Sequence, residues 1–183
     1  MLEPLHLSDV FSDPECDRII AIADSAAYDD ATLVRGGRHD NIRKARVTWL
    51  DETKEADWIF DRITGTVIAA NRSHFGLDLS EFAERAQVAW YGAEAGGHFD
   101  WHVDIGDGQL AAKRKLTMVI QLSAGDDYDG GELELNARGH AEPARRDRGA
   151  ATLFPAFTPH RVARVTRGAR YSLTTWVHGP AFR

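Results

Sequence analysis

"KLTMVIQLS", residues 115 to 123, is the stretch on which the fold turns. It is a short, nearly continuous run of apolar and β-branched side chains, and it reads as the central strand of a sheet. Stretches of similar texture surround it. From residue 82 onward the chain breaks into short alternating or apolar segments punctuated by glycine and aspartate: "AQVAWYG" (86–92), "HFDWHVD" (98–104), "GELEL" (131–135), "AATLF" (150–154), "HRVARV" (160–165) and "RYSLTTWV" (170–177). That spacing predicts a β sandwich or barrel. Gly130 and Gly131 permit a bulge or tight bend ahead of the alternating Leu133 and Leu135.

The half before residue 81 reads differently. "SDPECDRIIAIADSAAY" (12–28) predicts a helix with Asp13 as cap, Pro14 in the first turn and an apolar stripe of Ile19, Ile20, Ile22 and Ala23. "DETKEADWIFDRITGTVIAANRSHFG" (51–76) predicts a second, with Asp51 as a possible cap and Trp58, Ile59, Ile63, Val67 and Ile68 at helical spacing. Between them, "YDDATLVRGGRHDNIRK" (28–44) has no periodicity and reads as a long exposed loop, running into a short β segment, "ARVTWL". Loops of that length are often functional covers. With no linker or repeat in the series, the expectation is one domain over 1–183, its helices packed outside one sheet.

Bulk properties narrow the function classes. A hydrophobic fraction of 43%, a charged fraction of 27% and no apolar run of bilayer length describe an ordinary globular chain. A start without a signal-peptide pattern and a single cysteine, Cys16, make a cytoplasmic home the expectation. The formal net charge of −6 argues against a protein built mainly to grip phosphate backbones. The basic run at 144–148 reads as a solvated face.

Chemistry concentrates in "HFDWHVD". It holds His-x-Asp twice, as His98 with Asp100 and His102 with Asp104, all on one strand parity. The two histidines lie roughly 13 Å apart along a strand, so they cannot share one ion. Further along, His160 follows Pro159 at a strand start, and Arg170 shares a parity with Ser172, Thr174 and Trp176. An inward-facing arginine requires an anionic partner, and its fork suits a carboxylate. Two histidines and one carboxylate leave metal positions open, as in non-haem iron oxygenases; zinc favours fuller closure by nitrogen or sulfur.

These residues resemble the Fe(II)/2-oxoglutarate dioxygenases, and among them the prolyl 4-hydroxylase-like branch. The resemblance spans about residues 88 to 178, through "WYGAEAGGHFDWHVD", "KRKLTMVIQLS", "DYDGGELEL", "ATLFPAFTPHRV" and "GARYSLTTWV". Tyr91, Gly96 and Phe99 match residues that precede the metal-binding His-x-Asp in that family, which selects His102 and Asp104, with His160 as the distal histidine. The resemblance implies a double-stranded β-helix, a jelly-roll with the N-terminal helices on its larger sheet, so that 1–80 is helical support and loop and 81–183 the catalytic core. It implies Fe(II), 2-oxoglutarate and dioxygen, with Arg170 binding the far carboxylate of 2-oxoglutarate and Tyr91 near it. It implies hydroxylation of a prolyl or other amino-acid-like substrate, free or in a peptide, with release of succinate and carbon dioxide. Asp104 stands where related halogenases carry a small residue, which argues against halogenation.

His98 and Asp100 then become possible substrate contacts at the pocket mouth, together with Arg35, Arg38 and His39 in the loop Val34 to Lys44 and the segment "IGDGQLAAKR" (105–114). Two alternatives stay open. One is oxidative demethylation of nucleic-acid bases, kept alive by Arg161, Arg164 and Arg167. The other is a non-enzymatic jelly-roll that senses 2-oxoglutarate or binds a partner.

Overall fold

The computed structural model describes residues 2–26, the backbone of 29–30, and 42–182. Its strands, in chain order, are β1 (Leu5–Leu7), β2 (Asp29–Asp30), β3 (Arg43–Lys44), β4 (Arg46–Leu50), β5 (Ala86–Gly92), β6 (His98–His102), β7 (Arg114–Gln121), β8 (Tyr128–Gly130), β9 (Leu133–Leu135), β10 (Glu142–Pro143), β11 (Ala151–Pro155), β12 (His160–Val162) and β13 (Val165–His178). Two α-helices, α1 (Asp13–Ser25) and α2 (Asp57–Ala70), precede β5. The larger sheet runs β1-β11-β7-β13-β5-β4-β2, with β8 also pairing with β13, and the smaller runs β10-β9-β12-β6-β3. The strand "KLTMVIQLS" is central, with β11 on one side and β13 on the other. The result is the jelly-roll sandwich expected.

Strand alternation divides the larger sheet into two chemistries. Leu116, Met118 and Ile120 of β7, Leu173 and Val177 of β13 and Val88 of β5 pack with Cys16 and Ile19 of α1 and Ile59, Ile63 and Val67 of α2. This is the main hydrophobic core, and it fixes both helices to the outside of that sheet. The opposite faces of β5, β7 and β13 turn toward the smaller sheet, where the apolar clusters are smaller, such as Val119, Leu133, Leu135, Ala144 and Phe154. Polar side chains therefore have room between the sheets.

Helix ends differ from the expectation. Ser12, not Asp13, caps α1, because the Glu15 carboxylate accepts from both the Ser12 backbone N–H (2.8 Å) and its hydroxyl (3.0 Å). Asp51 is not a cap; α2 starts later, after Ala56, and Asp51 accepts from Arg85 at 3.3 Å. The buried stripe of α2 is Ile59, Ile63, Val67 and Ala70, and Ile68 falls off it, 53% exposed. Gly130 and Gly131 do form the bend, with φ of 71° and 66°; a Cβ on Gly130 would meet the Arg164 carbonyl oxygen at 2.1 Å. Among the described residues no helix is long and apolar enough to cross a membrane.

Candidate active site

Adjacent strands bring the two histidines together. His160 of β12 is the register partner of His102 of β6, but the next pair along is Val162 with Phe99. Three residues of β6 thus span two of β12, which is a bulge. The extra residue changes parity: Phe99, not Asp100, joins His102 on the inner face, and the two rings stack with centroids 3.5 Å apart. The expected common face for His98, Asp100 and the ligating pair is corrected by this bulge.

Asp104 sits just beyond β6 and is held from three sides. Its N–H donates to the Ala156 carbonyl (2.9 Å), its carbonyl accepts from Arg114 (3.0 Å), and its Oδ2 accepts from the Thr117 hydroxyl (2.7 Å). His102 donates from Nδ1 to the Asp100 carbonyl (2.8 Å), and His160 from Nδ1 to the Thr158 carbonyl (2.9 Å). Carbonyls only accept, so each Nδ1 carries a proton, and the neutral form of either ring is the tautomer whose Nε2 presents a lone pair. Those Nε2 atoms lie 3.7 Å and 3.5 Å from the Asp104 oxygens, and the three donor atoms all fall within 4.8 Å of one another. One first-row metal, with bonds of about 2.1 Å, fits among them.

Electrostatics favour the metal-ready forms. Burial, reinforced by His160, holds His102 down to about 4, so the ring is neutral near neutral pH. Burial alone pushes the Asp104 carboxyl up, but His160, His102 and the Thr117 hydrogen bond outweigh it and leave the group below its ordinary value. Two imidazoles and one carboxylate are the donor set that suits Fe(II) with positions left open.

Arg170 lies in the same inter-sheet cavity, on a face of β13 with Ser172, Thr174 and Trp176, as the parity predicted. It is 2% exposed. Its Nε donates to Gln121 Oε1 (3.0 Å), its Nη1 approaches the Ser172 hydroxyl (3.4 Å), and the Tyr91 ring lies 5.8 Å away. Gln121 is itself fixed, donating to the Tyr128 hydroxyl and the Ser123 carbonyl, each at 3.0 Å. All these partners are neutral, and among the described residues no carboxylate pairs with Arg170. A desolvated guanidinium without an anion is unfavourable, so the cavity is prepared for one.

The other candidates fall outside this cavity or outside the described residues. His98 donates from Nδ1 to the Gly96 carbonyl (2.8 Å), and Asp100 is exposed, accepting from the Trp101 N–H (2.8 Å); neither lines the cavity. Arg35, Arg38 and His39 are outside the described residues. Arg161 pairs with Glu134, Arg167 with Asp129 (2.7 Å), and Arg164 reaches the Gly96 carbonyl (3.3 Å). Sequence reasoning missed Thr117, whose inward parity beside Val119 and Gln121 was a usable signal. The segment Val34 to Lys44 is expected to contact substrate, but Arg43 within it goes unnamed, a buried cavity residue in what reads as an exposed loop, where no periodicity marks it.

Comparison with known proteins agrees with this geometry. Residues 86–178 match the family model described as the 2OG-Fe(II) oxygenase superfamily. A PKHD-type hydroxylase from a Synechococcus species is 28% identical over 179 residues, covering 94% of this chain and 77% of that protein. One from Pseudomonas fluorescens is 37% identical over 87 residues, covering 45% of this chain and 38% of that protein. In three dimensions the chain is similar to a prolyl-4-hydroxylase from Pseudomonas putida, with a TM-score of 0.75 at 21% identity over 97% of this chain and 93% of that one. It is also similar to a prolyl hydroxylase in complex with a hypoxia inducible factor oxygen degradation domain peptide fragment from Trichoplax adhaerens, with a TM-score of 0.79 at 16% identity over 98% and 84%. By its matched sequence, its jelly-roll and its converging His, Asp and His, the chain belongs to the 2OG-Fe(II) oxygenase superfamily, as an iron- and 2-oxoglutarate-dependent dioxygenase.

Proposed function

We propose that residues 1–183 work as one domain that hydroxylates a prolyl or other amino-acid-like substrate, free or in a peptide, with Fe(II) held by His102, Asp104 and His160 and 2-oxoglutarate held through Arg170. The observation that carries this reading is the pairing, in one cavity, of three converging metal donors with a buried arginine that has only neutral partners. Bound iron would supply the oxidative chemistry of the family, coupling decarboxylation of 2-oxoglutarate to succinate and carbon dioxide with insertion of one oxygen atom into a C–H bond.

The protein's own part is placement. Backbone carbonyls orient both imidazoles, Thr117 orients the carboxylate, and Gln121 aims Arg170 into the cavity. Arg170 then offers its free guanidinium edge to the far carboxylate of 2-oxoglutarate, with Tyr91 packed beside it. Apolar neighbours such as Val119, Leu133 and Val162 exclude water from the space between these groups.

The test is a screen of amino acids and prolyl peptides for stimulated succinate release under air with Fe(II) and 2-oxoglutarate, with mass spectrometry for a gain of one oxygen. Turnover lost in His102→Ala is expected. A purified protein that binds neither iron nor 2-oxoglutarate would sink the proposal. Oligonucleotide demethylation gains no support here, since Arg161 and Arg167 already sit in ion pairs with carboxylates.

A further inference from the structure

We propose that Arg43 is the subsite for a carboxylate carried by the substrate, so that this enzyme acts on a carboxylate-bearing molecule: a free amino acid held by its α-carboxylate, or a peptide with an acidic residue next to its target. This rests on the function proposed above and narrows its substrate class.

Arg43 lies on β3, the edge strand that pairs with β6, opposite Phe99. It is 8% exposed and lines the same cavity as His102 and Arg170. Its guanidinium sits over the Phe99 ring at 4.6 Å, and Phe99 in turn stacks on His102. The charge is thus one aromatic ring away from a metal donor. Nη2 donates to the neutral Gln87 Oε1 (2.6 Å), whereas Nε is buried with no acceptor among the described residues. Trp176, in the same cavity, has its indole Nε1 buried with no acceptor among those residues either. Buried donors are nearly always satisfied, so two unmet ones in one cavity mark where a bound molecule supplies oxygen atoms.

The sign of that molecule follows from charge. Elsewhere the half-buried arginines have carboxylates: Arg114 has Glu84, Arg146 has Glu132 and Arg148 has Asp17. Arg43 has none among the described residues, and the same holds for Arg170. With the co-substrate in place, its far carboxylate is taken by Arg170 and its near one belongs at the metal, so neither remains for Arg43. Counting a divalent metal, one Asp104 carboxylate, a doubly negative co-substrate and two arginines leaves one positive charge in excess. A substrate carboxylate cancels it; a neutral prolyl residue does not.

The experiment uses 15N-labelled full-length protein loaded with Zn(II), a diamagnetic stand-in for iron, and saturated with 2-oxoglutarate. Matched carboxylate and carboxamide probes are titrated while arginine Nε–H and tryptophan indole resonances are followed: acetate against acetamide, L-proline against L-prolinamide, and a capped Glu-Pro-Gly peptide against its Gln-Pro-Gly counterpart. Acetate is expected to shift the Arg43 Nε–H signal, with acetamide inert at equal concentration. Within a larger pair, the carboxylate member should bind about ten-fold more tightly or better, a preference lost in Arg43→Gln and partly kept in Arg43→Lys. The proline pair reports a free amino acid, and the peptide pair an acidic peptide. Acetate acting no more strongly than acetamide on the wild type overturns the proposal, whether or not Arg43→Gln folds, as does a preference unchanged in Arg43→Gln. The 2-oxoglutarate affinity of the same sample separates the failures: intact affinity with no anion preference removes only Arg43's role, while absent affinity removes the function beneath it.

Discussion

His102 and His160 face one another as register partners, and each donates its Nδ1–H to the carbonyl two residues before it, Asp100 and Thr158 respectively. The repetition gives both rings the same tautomer and points both Nε2 atoms toward the Asp104 carboxylate. The carbonyls of Asp100, in β6, and of Thr158, in the turn before β12, set the tautomer of the two rings, and the Phe99 ring backs His102. Asp104, by contrast, leaves its strand and depends on a side chain, Thr117, for its final alignment.

Metal affinity should divide along that line. Asp104→Ala and His160→Ala are expected to abolish stoichiometric metal binding. Thr117→Val, which removes only the hydroxyl, should weaken binding by about 10–100-fold. Titration with Co(II), followed by its visible absorption, measures all three. A Thr117→Val protein that binds as tightly as wild type would show that the carboxylate needs no such support.

Arg170→Ala should leave metal affinity in place while lowering 2-oxoglutarate affinity by about 2–5 kcal/mol, the cost of truncating one member of a desolvated charge pair. Gln121→Ala should have a smaller effect in the same direction, about 1–3 kcal/mol, because it leaves the Arg170 Nε without its acceptor. Calorimetric titration of 2-oxoglutarate into Mn(II)-loaded protein distinguishes the two. Equal affinity in wild type and Arg170→Ala would remove the arginine from the site.

Much of this was legible in the sequence for a simple reason. Period-two alternation is written in residues such as Leu116, Met118 and Ile120 against Thr117, Val119 and Gln121, and from Leu116 to Gln121 the pairing of β7 with β13 keeps an unbroken register against the core formed with α1 and α2. The smaller sheet has no such core behind it. Its β6 carries a bulge at Asp100 and Trp101, and a bulge has no signature in side-chain pattern, so parity counted across it goes wrong. Arg43 was illegible for a related reason: β3 is only two residues long, too short for any period to show.

The bulge makes its own prediction. His98→Ala and Asp100→Ala should leave metal and 2-oxoglutarate affinities unchanged, since neither side chain lines the cavity. Phe99→Ala should weaken metal binding, by about ten-fold, because the ring that stacks on His102 also holds it in place. The same Co(II) titration applies, and the reverse order of effects would mean that β6 runs without the bulge.

The helices should matter for stability and not for ligand affinity. Ile63→Ala empties a fully buried position between α2 and the larger sheet and should cost about 2–5 kcal/mol in denaturant unfolding. Since Ile63 belongs to the core cluster on the helix-covered face of the larger sheet and the site lies on the opposite face, 2-oxoglutarate affinity of the folded fraction should stay within two-fold, roughly the scatter expected of independent sites. A large loss of affinity at unchanged stability would mean that the helices shape the site directly.

Cys16 gives a probe of that same core. Burial pushes its thiol up to about 11, with neighbouring Arg148 opposing the shift and Asp13 adding to it. At neutral pH the folded thiol is therefore protonated and covered, and thiol reagents should label it only through opening of α1. The raised value also sets a sign. The unfolded chain ionises this thiol near its ordinary value while the folded chain resists until about 11, so ionisation favours unfolding progressively as pH rises between the two. Labelling should accelerate across that alkaline window more steeply than for a free thiol, and Cys16→Ala should flatten the accompanying fall in stability. Rapid labelling of the native protein at neutral pH would show that α1 does not stay docked on the sheet.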